Sequence, residues 1–370
     1  MLPSDVGTKK AIRRRDFLAV ALAAAAAPAS AQVRDRWSGV RRIVVVGDLH
    51  GDLDAFLHVL RLAAVVNEEY QWTSGSDHLV QIGDIPARGP QTRKAMDYLM
   101  QLETQAAAAG GRVHALIGNH DAMAMYGDLR WILPEEYAEF RSSASEQLLR
   151  EEFEKELASL RRRRQEPGTA AERDQFTKQW FEMHPPGWVE HRRAFSPSGR
   201  YGAWIRSHNA MITIDDTLFV HGGISPEFAG IPAAQLNEKI RRELETPEKI
   251  PPGLSTNVQG PLWYRGFAEG DEAALEGHLA SVLEFHGVCR VVIGHTVTRT
   301  TVIPRFGSKV INVDVGLSRF YGAAPACLLI EDGVPVTIHR GTRVPIPAAS
   351  REALQAYFRS IVAADPSVRL

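Results

Sequence analysis

The chain has 370 residues, 44% hydrophobic and 24% charged, with a formal net charge of −1. This composition excludes a disordered or fibrous protein and allows a large core in one elaborated domain or two. The near-neutral balance, with no basic face, argues against nucleic acid as a partner, and a count of two cysteines excludes a disulfide framework.

The first element is a leader. "KKAIRRRDFLAVALAAAAAPASAQ" places a basic stretch before an apolar run of Ala, Leu and Val and a small-residue site, Ala29-Ser30-Ala31. Residues 1–31 therefore read as a cleaved signal peptide, and Arg14-Arg15-Asp16-Phe17-Leu18 resembles the twin-arginine pattern of proteins exported already folded. The expected location is periplasmic or secreted, with no membrane attachment after cleavage and a mature charge near −4.

From residue 40 strand-like and helix-like segments alternate. "VRRIVVVGD" predicts a strand, "DLDAFLHVLRLAAVV" a helix, "DHLVQIGD" a strand, "PQTRKAMDYLMQLETQAAA" a helix and "RVHALIGNHD" a third strand. Such β-α-β-α-β order implies a parallel sheet covered by helices. Residues about 128–205 break the rhythm and read as a helical insertion, in which "RRRR" at 161–164 is a solvated helix end. "NAMITIDDTLFVHGG" predicts a hairpin around Asp215-Asp216, followed by helices near 233–245 and 272–286. The strands "VCRVVIGHT", "TTVIP", "SKVINVDVG", "ACLLIED" and "VPVTIHR" come next, the later ones suggesting antiparallel pairing in a second sheet. Cys289 and Cys327 each lie in an apolar strand pattern and are expected in the core. Residues 40–345 thus read as the main domain and 346–370 as a C-terminal tail.

The chemistry lies in how the strands end: "GDLHG" at 47–51, "GDIPARG" at 83–89, "GNHD" at 118–121, "HGG" at 221–223 and "GHT" at 294–296. A single Gly-Asp after a strand is ordinarily a turn. Five strands ending alike bring Asp48, His50, Asp84, Asn119, His221 and His295 together, because the carboxyl ends of adjacent strands converge in space. Oxygen and imidazole donors without thiolate suit Mn, Fe or Zn better than calcium. Six donors exceed the needs of one tetrahedral ion, whereas two ions sharing a bridging carboxylate use them all.

In this order the motifs resemble those of calcineurin-type metallophosphoesterases, in particular the phosphoprotein phosphatase superfamily. "GPLWYRG" at 260–266, "YGAWIRSHNAMITIDDTLFVHGGIS" and "INVDVGLS" are similar to its Shewanella-like branch. The resemblance covers nearly all of 41–335, most weakly in the insertion. It implies an αββα sandwich of two mixed sheets flanked by helices, and two divalent metal ions. Asp48 and His50 would hold the first ion, Asp84 would bridge, and Asn119, His221 and His295 would complete the second. It further implies a phosphatase that hydrolyses phosphoprotein or small phosphoester substrates by in-line attack of a bridging hydroxide. His120 would protonate the leaving oxygen while Arg88 and Arg265 clamp the phosphate.

One position departs from the pattern. Where the family reads Gly-Asp-x-x-Asp-Arg-Gly, the second aspartate is here Ala87. In the family that carboxylate supports the general-acid histidine, so His120 is expected to be a weaker acid unless Asp121 or another carboxylate substitutes. A nucleotide or phosphodiester hydrolase, which uses the same kind of centre, and a metal-binding pseudoenzyme are the competing readings. "GPLWYRG" leans against the first, and Ala87 is the sole support for the second.

Overall fold

The computed structural model describes residues 33–246, 253–347 and 350–366. The expected signal peptide lies outside the described residues. Among the described residues twelve strands form two six-stranded mixed sheets. The first is built on β2 (Arg42–Val46), β3 (His78–Gln81) and β4 (Arg112–Ala115), which run parallel. The antiparallel β10 (Ala326–Glu331), β11 (Val334–His339) and β12 (Thr342–Pro345) extend it beyond β2. The second has the order β1 (Arg36–Trp37), β5 (Met211–Ile214), β6 (Thr217–Val220), β7 (Arg290–Ile293), β9 (Val310–Asn312), β8 (Ile303–Arg305). Within it β6, β7 and β9 run parallel, and β5 and β6 form the hairpin expected at Asp215-Asp216.

Helices flank the sheets, as a βαβ connection requires. They include α1 (Leu53–Leu62), begun by the Asp52 side chain on the Ala55 N–H, and α2 (Thr92–Ala108), whose Ala95, Met96, Leu99, Leu102 and Ala106 face inward at helical spacing. The short α3 (Asn119–Tyr126) follows β4 directly. On the second sheet's side of the chain come α9 (Ala233–Glu243), α10 (Gly266–Glu269) and α11 (Glu272–His286). One continuous apolar core joins both sheets, from Val44 and Leu329 of the first to Phe219 and Val292 of the second.

The insertion is helical, as expected: α4 (Pro134–Ala138), α5 (Ser145–Arg163), α6 (Ala170–Met183), α7 (Trp188–Ala194) and α8 (Arg200–Ile205). It holds a small core of its own, Leu149, Phe153, Trp180 and Val189, while Phe140, Phe195 and Tyr201 reach into the main one. Arg161, Arg162 and Arg163 end α5 in solvent.

Three expectations change. The later strands β10 and β11, expected in a second sheet, instead extend the first, because β10 hydrogen-bonds to the edge of β2 that β3 leaves unpaired. The segment read as a tail carries α12 (Arg351–Ala364), capped by Ser350, whose Tyr357 and Ile361 are buried in the main core. The Tyr357 hydroxyl donates to the Val302 carbonyl at 2.6 Å and lies 2.8 Å from the Thr337 hydroxyl. Cys327 is buried as expected, but Cys289 is exposed, since it precedes β7 and its thiol turns toward the Asp216 carboxylate.

Candidate metal centre

The parallel strands of both sheets end on one edge, and each of the five motifs leaves from such an end. Gly47 and Asp48 follow β2, Asp84 follows β3, Asn119 follows β4, His221 follows β6 and His295 follows β7. Within each sheet the parallel register delivers the next residues to the same edge, and the contacts of His221 with Asp84 and of the His295 N–H with Asp48 show that the two edges meet. His50, Asp84 and His295 hold φ values of 45°, 57° and 64°, as do Ala87 and Arg88 at 73° and 68°. A left-handed backbone at residues other than glycine costs about 1–3 kcal/mol each and persists where surrounding structure enforces it. The glycines allow close approach: at Gly83, with φ 109°, an added Cβ would lie 2.8 Å from the Gly118 backbone and from His221 Nδ1.

All six expected donors are buried. Asp84 lies between two groups. Its Oδ2 is 3.9 Å from His50 Nε2 and 4.0 Å from His120 Nε2, and its Oδ1 is 3.3 Å from His221 Nε2. Asp48 Oδ2 is 3.9 Å from His50 Nε2, and its Oδ1 accepts the His295 N–H at 3.2 Å. Asn119 Oδ1 is 3.0 Å from His221 Nε2. Ligand atoms of His50, Asp84 and His120 form one cluster, and those of Asp84, His221 and His295 a second, each within 4.8 Å.

These donors fit divalent cations. His221 Nδ1 lies 2.9 Å from the Ile82 carbonyl, which only accepts, so this nitrogen carries the proton. Its Nε2 then presents a lone pair to two other acceptors, Asp84 Oδ1 and Asn119 Oδ1, an arrangement stable only if a cation lies among them or the imidazole is protonated. Burial disfavours the charged ring, yet Asp84 and Asp48 outweigh it and raise His221 to about 9. The carboxylates of Asp84 and Asp48 thus favour positive charge at this position. His295 Nε2 is buried without a hydrogen-bond partner. Burial, with Asp314 alongside, holds Asp48 well above the usual carboxylate range, while at Asp84 burial is overcome by His221 and His120, which hold it well below.

The proposed chemical groups lie at the same edge. The His120 ring meets His50 edge-on at 5.0 Å, and the His120 main-chain N–H donates to Asp84 Oδ1 at 2.7 Å. Burial pushes His120 down to about 4. Arg88 Nη1 lies 3.1 Å from His50 Nε2 and contacts the Tyr321 hydroxyl. Arg265 donates from Nη1 to the His295 carbonyl at 2.9 Å and to Thr296 Oγ1 at 3.0 Å.

Asp121 does not take the role left vacant at Ala87. Its carboxylate accepts N–H bonds from Gly118 and Asp84 at 2.8 Å and from Ile85 at 3.4 Å, so it shapes the turn rather than touching the His120 ring. The buried Ala87 N–H instead donates to Glu136 Oε2 of α4 at 3.2 Å, and the Arg88 N–H to the Trp131 carbonyl at 2.9 Å. The insertion therefore holds the loop that carries Arg88.

Sequence reasoning missed Asp314, Tyr321 and Trp131. Asp314 follows β9 in "INVDVG", an acid and a glycine after a β-rich run, the same signal as the other five. Burial, with Asp84 nearby, raises it to about 6. Tyr321 and Trp131 stand in irregular loops and carry no such signal.

The model of the calcineurin-like phosphoesterase family matches residues 41–299. This chain belongs to that family. It is similar to Shewanella-like protein phosphatase 2 of Arabidopsis thaliana, 28% identical over 78% of this chain and 74% of that protein. An uncharacterized protein of Schizosaccharomyces pombe is 29% identical over 82% of each chain. The crystal structure of a cold-active protein-tyrosine phosphatase from a psychrophilic Shewanella species aligns with a TM-score of 0.65 and 27% identity, over 85% of this chain and 82% of that one. The calcineurin-like enzyme described here is a metal-dependent phosphatase, a hydrolase that acts on phosphorylated substrates with divalent metal ions.

Proposed function

We propose that this phosphatase is a two-metal phosphomonoesterase acting on phosphoproteins, with phosphotyrosine favoured over phosphoserine and phosphothreonine. The observation that carries the reading is the placement of Asp84, with one carboxylate oxygen toward His50 and the other toward His221. Asp48, His50 and Asp84 would hold one ion, and Asp84, Asn119, His221 and His295 the other, drawn from Mn, Fe or Zn. Bound there, such ions would polarise the phosphoryl oxygens and would lower the pKa of a water for in-line attack.

The chain's own residues do the rest. Arg88 and Arg265 bind and orient the phosphate, each with a planar fork matched to its oxygens. His120 delivers a proton to the leaving oxygen. Held near 4 by burial, it needs the charge of a bound phosphate dianion to keep that proton, and no carboxylate at position 87 assists. Leaving groups that need little protonation, such as phenols, are therefore favoured, in keeping with the name of the Shewanella protein-tyrosine phosphatase. The reading includes export: the leader, with its Arg14-Arg15 pair, would carry a folded, metal-loaded enzyme to the periplasm or outside the cell.

The test is metal analysis of purified protein loaded with each metal, together with hydrolysis of an aryl phosphate and a bis-aryl phosphate. Two ions per chain with cleavage of the monoester alone is the expected result. A single ion at full activity would exclude the bridging role of Asp84, and equal cleavage of the diester would favour a diesterase.

A further inference from the structure

Beside the metal centre an arginine is surrounded by aromatic rings. The Arg88 guanidinium lies 5.1 Å from the Trp131 ring centroid, 5.3 Å from Tyr321 and 5.8 Å from Phe320. Arg299 stands 5.8 Å from the Tyr321 ring, which itself lies 5.5 Å from His50. Trp131 and Phe320 are 46% and 55% exposed, although aromatic side chains of this size are ordinarily driven into the interior. Two large rings thus face solvent within one ring's width of the proposed phosphate clamp.

Their frame does not depend on the rings. The Trp131 carbonyl, a main-chain group, accepts the Arg88 N–H. The Phe320 loop is held by its neighbour Arg319, whose N–H and guanidinium donate to Asp52 and Asp54, each at 2.8 Å. The parts of the Trp131 and Phe320 rings turned away from Arg88 remain exposed to solvent and open to contact with a ligand.

We propose that Trp131, Phe320 and Tyr321 form an aryl-binding rim that sets selectivity for phosphotyrosine. This rests on the phosphomonoesterase reading above and names the residues that choose its substrate. With the phosphoryl group at Arg88, the phenyl ring that follows the ester oxygen of phosphotyrosine would run outward along the exposed parts of Trp131 and Phe320, whose rings pack directly against the guanidinium at 5.1 and 5.8 Å. Phosphoserine carries a single methylene there and brings polar backbone against the rings instead. Arg88 and Arg299 add cations over aromatic faces on the same side.

The experiment compares kcat/KM for a phosphotyrosine peptide and a phosphoserine peptide of identical flanking sequence, in metal-loaded wild type, Trp131→Ala, Phe320→Ala and Trp131→Phe. Each alanine variant should lower the phosphotyrosine-to-phosphoserine ratio roughly three- to tenfold, mainly through KM, and Trp131→Phe should recover most of it. Inhibition by phenylphosphonate and methylphosphonate supplies a readout without turnover: wild type should prefer the phenyl compound, and Trp131→Ala should lose that preference. An unchanged ratio, or equal losses on both peptides, overturns the rim and leaves the monoesterase reading standing. A wild-type enzyme that hydrolyses no monoester overturns both.

Discussion

Replacing Glu136 by glutamine should stabilise the protein at alkaline pH and leave its activity nearly intact, whereas alanine should damage both. Glu136 is fully buried, with Oε2 on the Ala87 N–H and Oε1 3.4 Å from His191 Nε2. Burial raises its carboxyl from the ordinary 4.5 to about 8 and lowers His191 to about 3, so at neutral pH both partners are uncharged. Glutamine copies a protonated carboxyl closely, with an oxygen for Ala87 and a donor for His191. Below pH 4.5 the glutamate is protonated in folded and unfolded chains alike. Between 4.5 and 8 the unfolded chain releases the proton and the folded chain keeps it, so wild-type stability falls as pH rises, and no further above 8. Over that window the loss is on the order of 5 kcal/mol, and glutamine, which binds no proton, escapes it. Alanine leaves the Ala87 N–H without an acceptor and opens a cavity, costing about 2–4 kcal/mol at every pH. It also loosens Arg88, which should raise KM. Urea unfolding at pH 5, 6.5 and 8 reads the gap between glutamine and wild type, and aryl phosphate hydrolysis reads the loop. A gap that does not grow with pH, or a glutamine variant as impaired as alanine, would refute this account.

Three further changes test other parts of the molecule. Asp84→Asn should reduce both metal content and turnover. Loss of a mere outer partner of a metal site costs about 10–100-fold, and a shared donor should cost at least that; two retained ions with normal turnover would count against bridging. Ala87→Asp should raise turnover on phosphoserine peptides more than on phosphotyrosine peptides, because an alkyl alcohol needs more help in leaving than a phenol with a pKa near 10. In a His120→Asn background that difference should vanish, and equal gains on both substrates would dismiss general-acid support as the cause. Tyr357→Phe should cost about 1–2 kcal/mol in urea unfolding by stripping the Val302 carbonyl of its donor, with kcat unaltered; an unchanged midpoint would show that α12 does not latch the core through this hydroxyl.

The expected donors could be read from the chain because each lies within a few residues of a strand whose β-branched run is plain to see. "IVVVGD" and "LVQIGD" predict strand and acid together, and parallel pairing then leaves those acids little choice but to share an edge. The helical insertion and the β5–β6 hairpin were legible for the same local reason, through periodicity and turn chemistry, whereas strand pairing alone placed β10 and β11 beside β2 rather than in a second sheet. Three-dimensional packing alone decided what depends on contacts between segments distant in sequence. Glu136 reaches across 49 residues to Ala87, Tyr321 meets Arg88 across 233, and the apolar stripe of α12 acquires meaning only when Val302 and Thr337 are found beneath Tyr357. Exposure divides the same way: one apolar pattern surrounds both cysteines, but strand pairing buries Cys327 in the middle of a sheet and leaves Cys289 at the mouth of another. Local pattern determined which residues end the strands, since that is a property of neighbours along the chain. Tertiary structure determined which groups support, charge and surround them, since burial and electrostatic fields arise only once the sheets have closed over one another.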